Sequence, residues 1–230
     1  MQQILISAIV HDIKTPLRYF MWTARSLQQD LLKGENEDTF LERADLMYTS
    51  AERMHALVDD LLNYFRIRLS GNDVIHSRPV NVYSAVAVKA ELFLPIARSK
   101  GIALLNNVDE ELFITTDLDC FSVILHNVLD NAMKFTARGQ VEIRSALSAD
   151  WIRLEVEDTG RGMSKAYMDW TNKPNATLDE DFRPPGLGLL LIKELMYKVK
   201  GRMKVSKGKI DAGSGKDAGT VMILEFPVSM

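Results

Sequence analysis

Apolar side chains recur at intervals of three and four residues through the first seventy positions, which is the spacing of an amphipathic helix. One series ends before Gly34, and the other ends before the turn-forming stretch at residues 70–73. The first is Ile6, Ile9, Val10, Ile13, Leu17, Phe20, Met21, Ala24, Leu27 and Leu31, and the second is Phe40, Ala44, Met47, Ala51, Met54, Val58, Leu61, Leu62 and Phe65. The pattern predicts two helices of about 30 residues, each roughly 45 Å long.

These two helices are predicted to form a hairpin, because Gly34 can end the first and Asn36 suits the N-cap of the second. A hairpin with a long apolar stripe on each helix cannot cover both stripes by itself. We therefore expect a homodimer in which two hairpins form a four-helix bundle.

The pattern changes after Pro79, where helical spacing alternates with strand-like stretches. Helices are predicted at Val82–Ala97, Leu118–Phe135 and Leu187–Val199, and strands at Ile102–Val108, Val141–Leu147, Trp151–Glu157, Met203–Ser206 and Val221–Phe226. Helices mixed with mainly antiparallel strands indicate a two-layer α/β sandwich. The predicted fold class is therefore α+β, with a helical hairpin at residues 1–70, a linker at 71–79 and the sandwich domain at 80–230.

Composition mainly excludes alternatives. The 230 residues are 47% hydrophobic and 26% charged, as in ordinary globular proteins, and the net charge of -3 gives no reason to expect nucleic acid as a partner. The single cysteine, Cys120, excludes an internal disulfide and suits a reducing compartment. No apolar run reaches the roughly 18 residues of a membrane span. The apolar start lacks the features of a signal peptide, so we expect a fragment of a larger protein that makes no membrane contact itself.

The stretch IVHDIKTPL, residues 9–17, places polar groups at unusual positions on the first helix. His11 falls roughly 150° from the centre of the apolar stripe, on the same side as Thr15 and Arg18. The histidine is therefore predicted to face water, with a hydroxyl one turn further along. A surface histidine without a function is the alternative interpretation.

A second polar cluster lies in HNVLDNAMKFT, residues 126–136. Asn127, Asn131 and Lys134 are spaced by four and three residues, so they share one helix face. Amide oxygens suit a hard cation, and an ammonium group suits phosphates. A merely polar outer face of the helix is the alternative.

Two glycine-rich stretches follow. EDTGRGM, residues 157–163, ends a strand, so that Asp158 could accept a hydrogen bond from an exocyclic amine while Gly160 and Gly162 let the backbone pass close to a flat ligand. PPGLGLLLIKEL, residues 184–195, places Gly186 and Gly188 before a helix, where backbone N–H groups can bind an anion. An ordinary turn and an ordinary loop are the alternatives.

Together these motifs resemble, from end to end, the catalytic core of a bacterial sensor histidine kinase. HDIKTPL resembles the H box, HNVLDNAMKFT the N box, DTGRGM and GLGLLL the two glycine boxes, and GTVMILEFP the closing strand. Their order and separations also agree with the family. The resemblance implies a dimerisation and phosphotransfer hairpin followed by a Bergerat-type ATP-binding domain.

The resemblance also implies roles for individual residues. His11 would attack the γ-phosphate of ATP, Asp12 would hold or accept the proton on the other ring nitrogen, and Thr15 would help a water molecule attack the phosphorylated partner. Asn131 would ligate Mg²⁺. The remaining cofactor-binding residues would be Asn127 and Lys134 near the phosphates, Phe135 against the nucleotide, Asp158 at the adenine amine, and Gly160, Gly162, Gly186, Leu187 and Gly188 around the pocket and its lid.

The implied function is ATP-dependent autophosphorylation followed by phosphoryl transfer to a response-regulator receiver domain, with a phosphatase activity as well. The fragment is expected in the cytoplasm, and the full-length protein could be attached to a membrane. A kinase-dead phosphatase or phosphotransfer protein, and a non-enzymatic nucleotide-sensing dimer, are the alternatives. Two departures bear on these: the aromatic Phe-x-Pro-Phe-like motif between the glycine boxes cannot be located, and Lys200-Gly201 stands where Gly-Gly is frequent. Few apolar anchors lie between Met163 and Gly186, which predicts a segment that is mobile without nucleotide.

Overall fold

The chain divides into two units, of which the first comprises Met1–Ser70 with Leu178–Leu187 and the second Gly71–Thr177 with Gly188–Met230. The structure is a computed structural model that describes residues 14, 16–28, 41–52, 54, 55, 58, 76–173, 187–209 and 219–228. Among these residues no helix is both long enough and apolar enough to cross a membrane.

The described part of the first unit is helical, with α1 at residues 16–28 and α2 at residues 41–52. Both stretches lie within the helices that the apolar spacing predicts. Thr23 and Ser50 are buried, and each hydroxyl donates a 2.8 Å hydrogen bond to the carbonyl four residues earlier in its own helix. The helix itself therefore satisfies these two polar side chains.

From residue 76 onward, the described residues form helices α3 to α6 and strands β1 to β7. In chain order these are β1 (Ser77–Asn81), α3 (Val82–Lys100), β2 (Ile102–Asn107), β3 (Phe113–Asp117), α4 (Leu118–Phe135), β4 (Gly139–Leu147), β5 (Trp151–Asp158), α5 (Lys165–Asn172), α6 (Leu187–Lys198), β6 (Arg202–Lys207) and β7 (Thr220–Pro227).

Five of these strands form one sheet in the order β2-β4-β5-β7-β6. The pair β2–β4 is parallel and the other three pairs are antiparallel. Strands β1 and β3 form a separate antiparallel pair. Helices and a mostly antiparallel sheet confirm the predicted α+β fold class.

One face of the sheet carries the apolar core. Alternate residues such as Ile143, Leu154 and Leu224 are almost completely buried, as are Leu129 on α4 and Leu191 on α6. The rings of Phe121 on α4 and Phe226 on β7 meet edge to face at 5.4 Å between centroids. Edge-to-face geometry is favourable for aromatic pairs, and this contact joins a helix directly to the sheet.

The opposite face of the sheet is charged. Arg144 on β4 contacts the carboxylates of Glu142 at 3.2 Å, Glu155 at 3.4 Å and Glu157 at 2.5 Å. Arg153 on β5 pairs with Glu225 on β7 at 2.9 Å. These ion pairs connect three adjacent strands, so the period of two along each strand separates an apolar face from a charged one.

Local sequence signals set the helix bounds. The Asn81 side chain accepts a 2.8 Å hydrogen bond from the Ser84 N–H at the start of α3, and the Asp117 side chain accepts a 3.0 Å bond from the Cys120 N–H at the start of α4. These are N-cap interactions, which satisfy backbone donors that the helix leaves free. Gly101, with φ of 65°, ends α3 in a left-handed conformation that glycine adopts without strain.

Three elements differ from the sequence-based prediction. Strand β1 begins at Ser77, within the stretch predicted as a linker, and pairs with β3, which was not predicted. Helix α5 occupies the start of the segment predicted to bury little, and its Trp170 is only 6% exposed. The remainder of that segment, residues 174–186, lies outside the described residues, so its predicted mobility stays a prediction.

Candidate functional site

Helix α4 carries the three polar residues that the spacing places on one face. Asn127 is buried, and its amide Nδ2 donates a 3.0 Å hydrogen bond to the Val123 carbonyl one turn earlier. This bond fixes the amide orientation, because its donor side is turned back to the helix. The Oδ1 atom of Asn127 and the second N–H of its Nδ2 therefore remain for other partners.

The beginning of α6 lies against these amides. A Cβ added to Gly188 would lie 2.7 Å from Oδ1 of Asn127 and 3.9 Å from Nδ2 of Asn131. Only glycine lets the α6 backbone approach this closely. The structure thus brings the second glycine-rich stretch next to the asparagine face of α4, although the two motifs are far apart in the sequence.

Asp158 occupies the last position of β5 and is buried. Its Oδ1 accepts a 2.8 Å hydrogen bond from the Gly160 N–H. Burial raises the pKa of the Asp158 carboxyl above its ordinary value, while hydrogen bonds from Gly160 and from the backbone and hydroxyl of Thr220 act in the opposite direction. The carboxylate is therefore held by donors from two places in the chain.

The first glycine-rich stretch also packs on the end of α4. A Cβ on Gly160 would collide with the carbonyl of Phe135 and would lie 2.8 Å from Oδ1 of Asp158. The Arg161 N–H donates a 3.3 Å hydrogen bond to the Phe135 carbonyl, and Gly162 follows with φ of 74°. Asp158 and Phe135 are therefore held close together by the backbone between them.

The side chain of Phe135 is partly exposed at this junction. The Arg161 guanidinium lies 4.7 Å from the centroid of its ring, and the Lys134 ammonium lies 5.5 Å from it. The Lys100 ammonium donates a 2.8 Å hydrogen bond to the Met133 carbonyl and thereby satisfies one of the last carbonyls of α4. The end of α4 thus combines a fixed backbone with two cations beside one aromatic ring.

Several predicted site residues lie outside this description. His11, Asp12, Thr15 and Gly186 are not among the described residues, and only the backbone of Leu187 is described. Their proposed roles consequently rest on the sequence. Within the described residues, no group of three or more His, Cys, Asp or Glu side chains could hold a metal ion.

Two residues at the site were missed from the sequence. Thr220 pairs with Asp158 across β5 and β7, and it could have been found only if the pairing of these strands had been predicted. Arg161 lies between two glycines that were noted, but the sequence carries no signal that its side chain meets Phe135. Both residues act through contacts between distant parts of the chain.

The structure thus brings a buried carboxylate at a strand end and the beginning of a glycine-bearing helix against two parts of the same helix, α4. Residues 116–230 match the family described as histidine kinase-, DNA gyrase B- and HSP90-like ATPase, and residues 1–70 match the His Kinase A (phospho-acceptor) domain. Together these two matches show that the chain belongs to the two-component sensor histidine kinase family.

Individual relatives agree with this assignment. The chain is similar to the autoinducer 2 sensor kinase/phosphatase LuxQ of Vibrio vulnificus, with 26% identity over 212 residues that cover 87% of this chain and 24% of LuxQ. It is also similar to the sensor protein EvgS of Escherichia coli, with 26% identity covering 98% of this chain and 19% of EvgS. The chain therefore spans about a quarter or less of the length of these two relatives.

Solved structures show the same fold. The histidine kinase ThkA in complex with the response regulator protein TrrA superposes with a TM-score of 0.70 at 18% identity, covering 97% of this chain and 61% of that one. The Acinetobacter baumannii histidine kinase AdeS gives a TM-score of 0.64 at 16% identity, covering 96% and 98% of the two chains. Full-length ShkA in complex with AMPPNP gives 0.60 at 23% identity, covering 100% and 46%.

Proposed function

We propose that this chain binds ATP and transfers its γ-phosphoryl group to His11. The observation that supports this most directly is the convergence of Gly188 on the amides of Asn127 and Asn131, with the buried Asp158 tied to Phe135 nearby. Phosphoryl transfer depends mostly on positioning and on neutralisation of charge; these groups serve positioning, and Lys134 together with a bound Mg²⁺ would neutralise charge. The ShkA structure, whose fold is similar, is described as a complex with AMPPNP.

In this proposal each described residue has one task. Asp158 accepts a hydrogen bond from the exocyclic amine of adenine, Phe135 packs on the nucleotide, and Lys134 contacts phosphate oxygens. The N–H groups at the start of α6 face anionic oxygens, as the dipole of a helix N-terminus favours. Because Gly188 has no side chain, the beginning of that helix can lie close to Asn127.

The residues present suit Mg²⁺ held jointly with phosphates. Because the Nδ2 of Asn127 is used by the Val123 carbonyl, its oxygen is free to face a cation, and Asn131 stands one turn further along the same face. Mg²⁺ prefers oxygen ligands and is commonly held by few protein groups together with nucleotide phosphates. Asn131 would be its ligand, and the bound ion would neutralise charge on the phosphates.

At the reacting end, an imidazole nitrogen of neutral His11 attacks the γ-phosphorus while the bond to the β-phosphate oxygen breaks and ADP leaves. Asp12 holds or takes the proton on the other imidazole nitrogen. The phosphoryl group then passes from His11 to an aspartate of a receiver domain. ThkA, to which the fold is similar, is described in complex with a response regulator.

A homodimer is part of the proposal. Described residues of the apolar stripe predicted for the second helix are exposed or partly exposed, and they repeat at alternating spacings of three and four, the spacing of a helix–helix seam. These residues are Ala44, Met47, Ala51, Met54 and Val58. A second copy of the hairpin would cover this seam in a four-helix bundle.

The decisive experiment is incubation of the protein with γ-labelled ATP and Mg²⁺. We expect acid-labile, base-stable label in the unmodified chain and none in His11→Gln, with the oligomeric state unchanged. Label that persists in His11→Gln would refute this phosphoacceptor. An unlabelled chain that still binds ATP would favour a phosphotransfer protein without kinase activity.

A phosphatase activity is a second candidate, because Thr15 is predicted one turn after His11 on the same helix face and LuxQ is described as a kinase/phosphatase. The hydroxyl would orient a water molecule toward the acyl phosphate of a docked receiver. Thr15→Ala is expected to slow dephosphorylation of the receiver and to spare autophosphorylation. Equal loss of both activities would indicate damage to the helix instead.

A further inference from the structure

Arg161 has no role in the function proposed so far, yet its side chain lies beside the site. Its guanidinium is 4.7 Å from the centroid of the Phe135 ring. Within the described residues, neither Arg161 nor Lys134 forms an ion pair with a carboxylate. The ring of Phe135 is therefore the group that the Arg161 side chain contacts, and the contact is of the cation–π type.

The backbone holds Arg161 in this place from both sides. Before it, Gly160 has no room for a Cβ because the Phe135 carbonyl and the Asp158 carboxylate are too close. After it, Gly162 takes a positive φ that favours glycine. The Arg161 N–H is itself bonded to the Phe135 carbonyl at 3.3 Å. Main chain and side chain of Arg161 thus both engage Phe135.

We propose that Arg161 is a positioning residue for nucleotide recognition, which holds the Phe135 ring in the orientation that packs on the base. This inference rests on the proposed binding of ATP. An unsupported phenylalanine with 38% of its surface exposed could take several side-chain orientations, and choosing one of them costs entropy on binding. The stacked guanidinium restricts the ring before the nucleotide arrives.

A phosphate contact by Arg161 is the competing role, since two cations lie beside this ring. The two roles predict different effects on the affinities for a series of nucleotides. A residue that acts through the ring strengthens binding of the base, and it should therefore contribute equally to the affinities for AMP, ADP and a non-hydrolysable ATP analogue, which share that base. A residue that contacts phosphates contributes more as the number of phosphates rises, and its contribution falls with added salt.

The test is isothermal calorimetry of these three nucleotides with Arg161→Gln, Phe135→Leu and the double variant. We expect Arg161→Gln to weaken all three by the same factor, about two- to five-fold, which corresponds to a cation–π contact at a partly exposed site. In the Phe135→Leu background the same change should have no further effect, because the ring through which it acts is gone.

Arg138→Gln is the matched control, because it removes an exposed arginine that follows the same helix but does not contact the ring. It should leave all three affinities and the thermal unfolding of the nucleotide-free protein unchanged, whereas Arg161→Gln should lower the melting temperature slightly because the cation–π contact with Phe135 is lost. Unchanged affinity in Arg161→Gln, a loss that grows with phosphate number, or a loss that persists with Phe135→Leu would each overturn the inference. If the unmodified chain binds none of the three nucleotides, the proposed ATP function itself fails.

Discussion

The described parts of the two units bury very different kinds of residues. From β1 onward, large apolar side chains such as Phe121, Ile124 and Leu191 are inaccessible. Among the described residues of α1 and α2, the buried ones are Thr23 and Ser50, and both are polar. Met21, Trp22 and Tyr48 in these helices are each more than 60% exposed.

The contrast indicates which unit is complete as a single chain. A helix–sheet sandwich closes around its own core, so its stability comes from contacts within one molecule. Apolar residues left exposed at helix–helix spacing indicate a surface that another molecule covers. Changes in the first unit should therefore act on association, and changes in the second should act on nucleotide binding or on unfolding.

The largest expected effect comes from a charge in the proposed seam of α2. Ala51→Lys would place an ammonium group between apolar helices, with no acidic residue three or four positions away on α2 to pair with it, and burying such a charge costs several kcal/mol. We expect the dimer to dissociate at micromolar concentration and the affinity for a non-hydrolysable ATP analogue to remain. Analytical ultracentrifugation and calorimetry measure the two properties.

Glu42→Lys is the control for this change, because residue 42 lies about 160° around the helix from the centre of the seam. It also introduces a lysine on α2 but should leave the dimer intact. A monomeric unmodified chain, or equal dissociation of both variants, would contradict the assignment of the seam.

The converse change alters the acceptor of the proposed nucleotide site, since asparagine keeps one side-chain oxygen but replaces the other with an amide donor. Asp158→Asn replaces a buried carboxylate that accepts from Gly160 and Thr220. We expect ATP affinity to fall by roughly 1–3 kcal/mol, the cost of losing one buried hydrogen-bonded group, while the dimer persists. Unchanged ATP affinity by calorimetry would rule out contact between Asp158 and the base.

The same variant should change how stability depends on pH. Because burial raises the pKa of Asp158 in the folded chain, the folded state binds more protons than the unfolded state between the unfolded pKa and the raised folded pKa. This contribution to stability is present below the unfolded value and is lost as pH rises through the folded one. As pH rises through this range, the free energy of unfolding of the second unit, measured with urea, should therefore fall less in Asp158→Asn than in the unmodified chain.

Sequence reasoning succeeded where structure is determined locally. Helix α4 begins and ends at the predicted residues, because its cap residue and its apolar periodicity are both short-range signals. The five-residue strands β1 and β3 were missed because each is stabilised mainly by pairing with the other across α3 and β2. The family resemblance was carried by motifs of a few residues, and the fold and the family comparisons agree with it.

Helix α5 shows why other parts were not predictable. Its Trp170 is covered in part by Lys193 of α6, whose ammonium lies 4.5 Å from the indole ring. Its last residue, Asn172, exchanges two hydrogen bonds with the backbone of Val205 on β6, at 2.9 and 2.7 Å. All of these partners come later in the chain, so the local sequence of α5 gives no sign of them.

A smaller effect is expected at Lys193, which closes the end of α5. Its ammonium donates to the carbonyls of Trp170, Thr171 and Lys173 at 3.1, 3.3 and 2.6 Å. Lys193→Met keeps most of the apolar side chain but leaves these carbonyls without this donor. We expect a loss of about 1 kcal/mol in the unfolding free energy of the second unit, measured by urea denaturation.

Lys173→Met is the matched control for Lys193→Met, because it removes a lysine side chain at the same helix end but leaves the Lys173 carbonyl in place. It should unfold like the unmodified chain. Since both changes lie in the self-contained unit, neither should alter dimer dissociation. A weaker dimer in Lys193→Met would mean that the stability of the second unit and the association of the first are coupled, which their buried residues do not indicate.

The smallest effect concerns the departure at Lys200, where the family frequently has glycine. Lys200 follows α6 with φ of 58°, the left-handed conformation, and is the non-glycine residue with positive φ in the described part of the chain. The Gly201 N–H bonds to the Met196 carbonyl at 2.8 Å and the Lys200 N–H to the Tyr197 carbonyl at 3.1 Å, which is the pattern of a Schellman helix end.

A residue with a Cβ is strained in this conformation, by roughly 1–2 kcal/mol, whereas glycine is not. Glycine also loses more chain entropy on folding, which offsets part of the gain. We therefore expect Lys200→Gly to stabilise the second unit by about 0.5–1 kcal/mol, seen as a higher melting temperature, while Lys200→Ala retains the Cβ and brings no gain. Because this unit folds from contacts within one chain, the gain should be the same at every protein concentration. A gain in Lys200→Ala as large as that in Lys200→Gly would attribute it to the lost charge and not to the backbone.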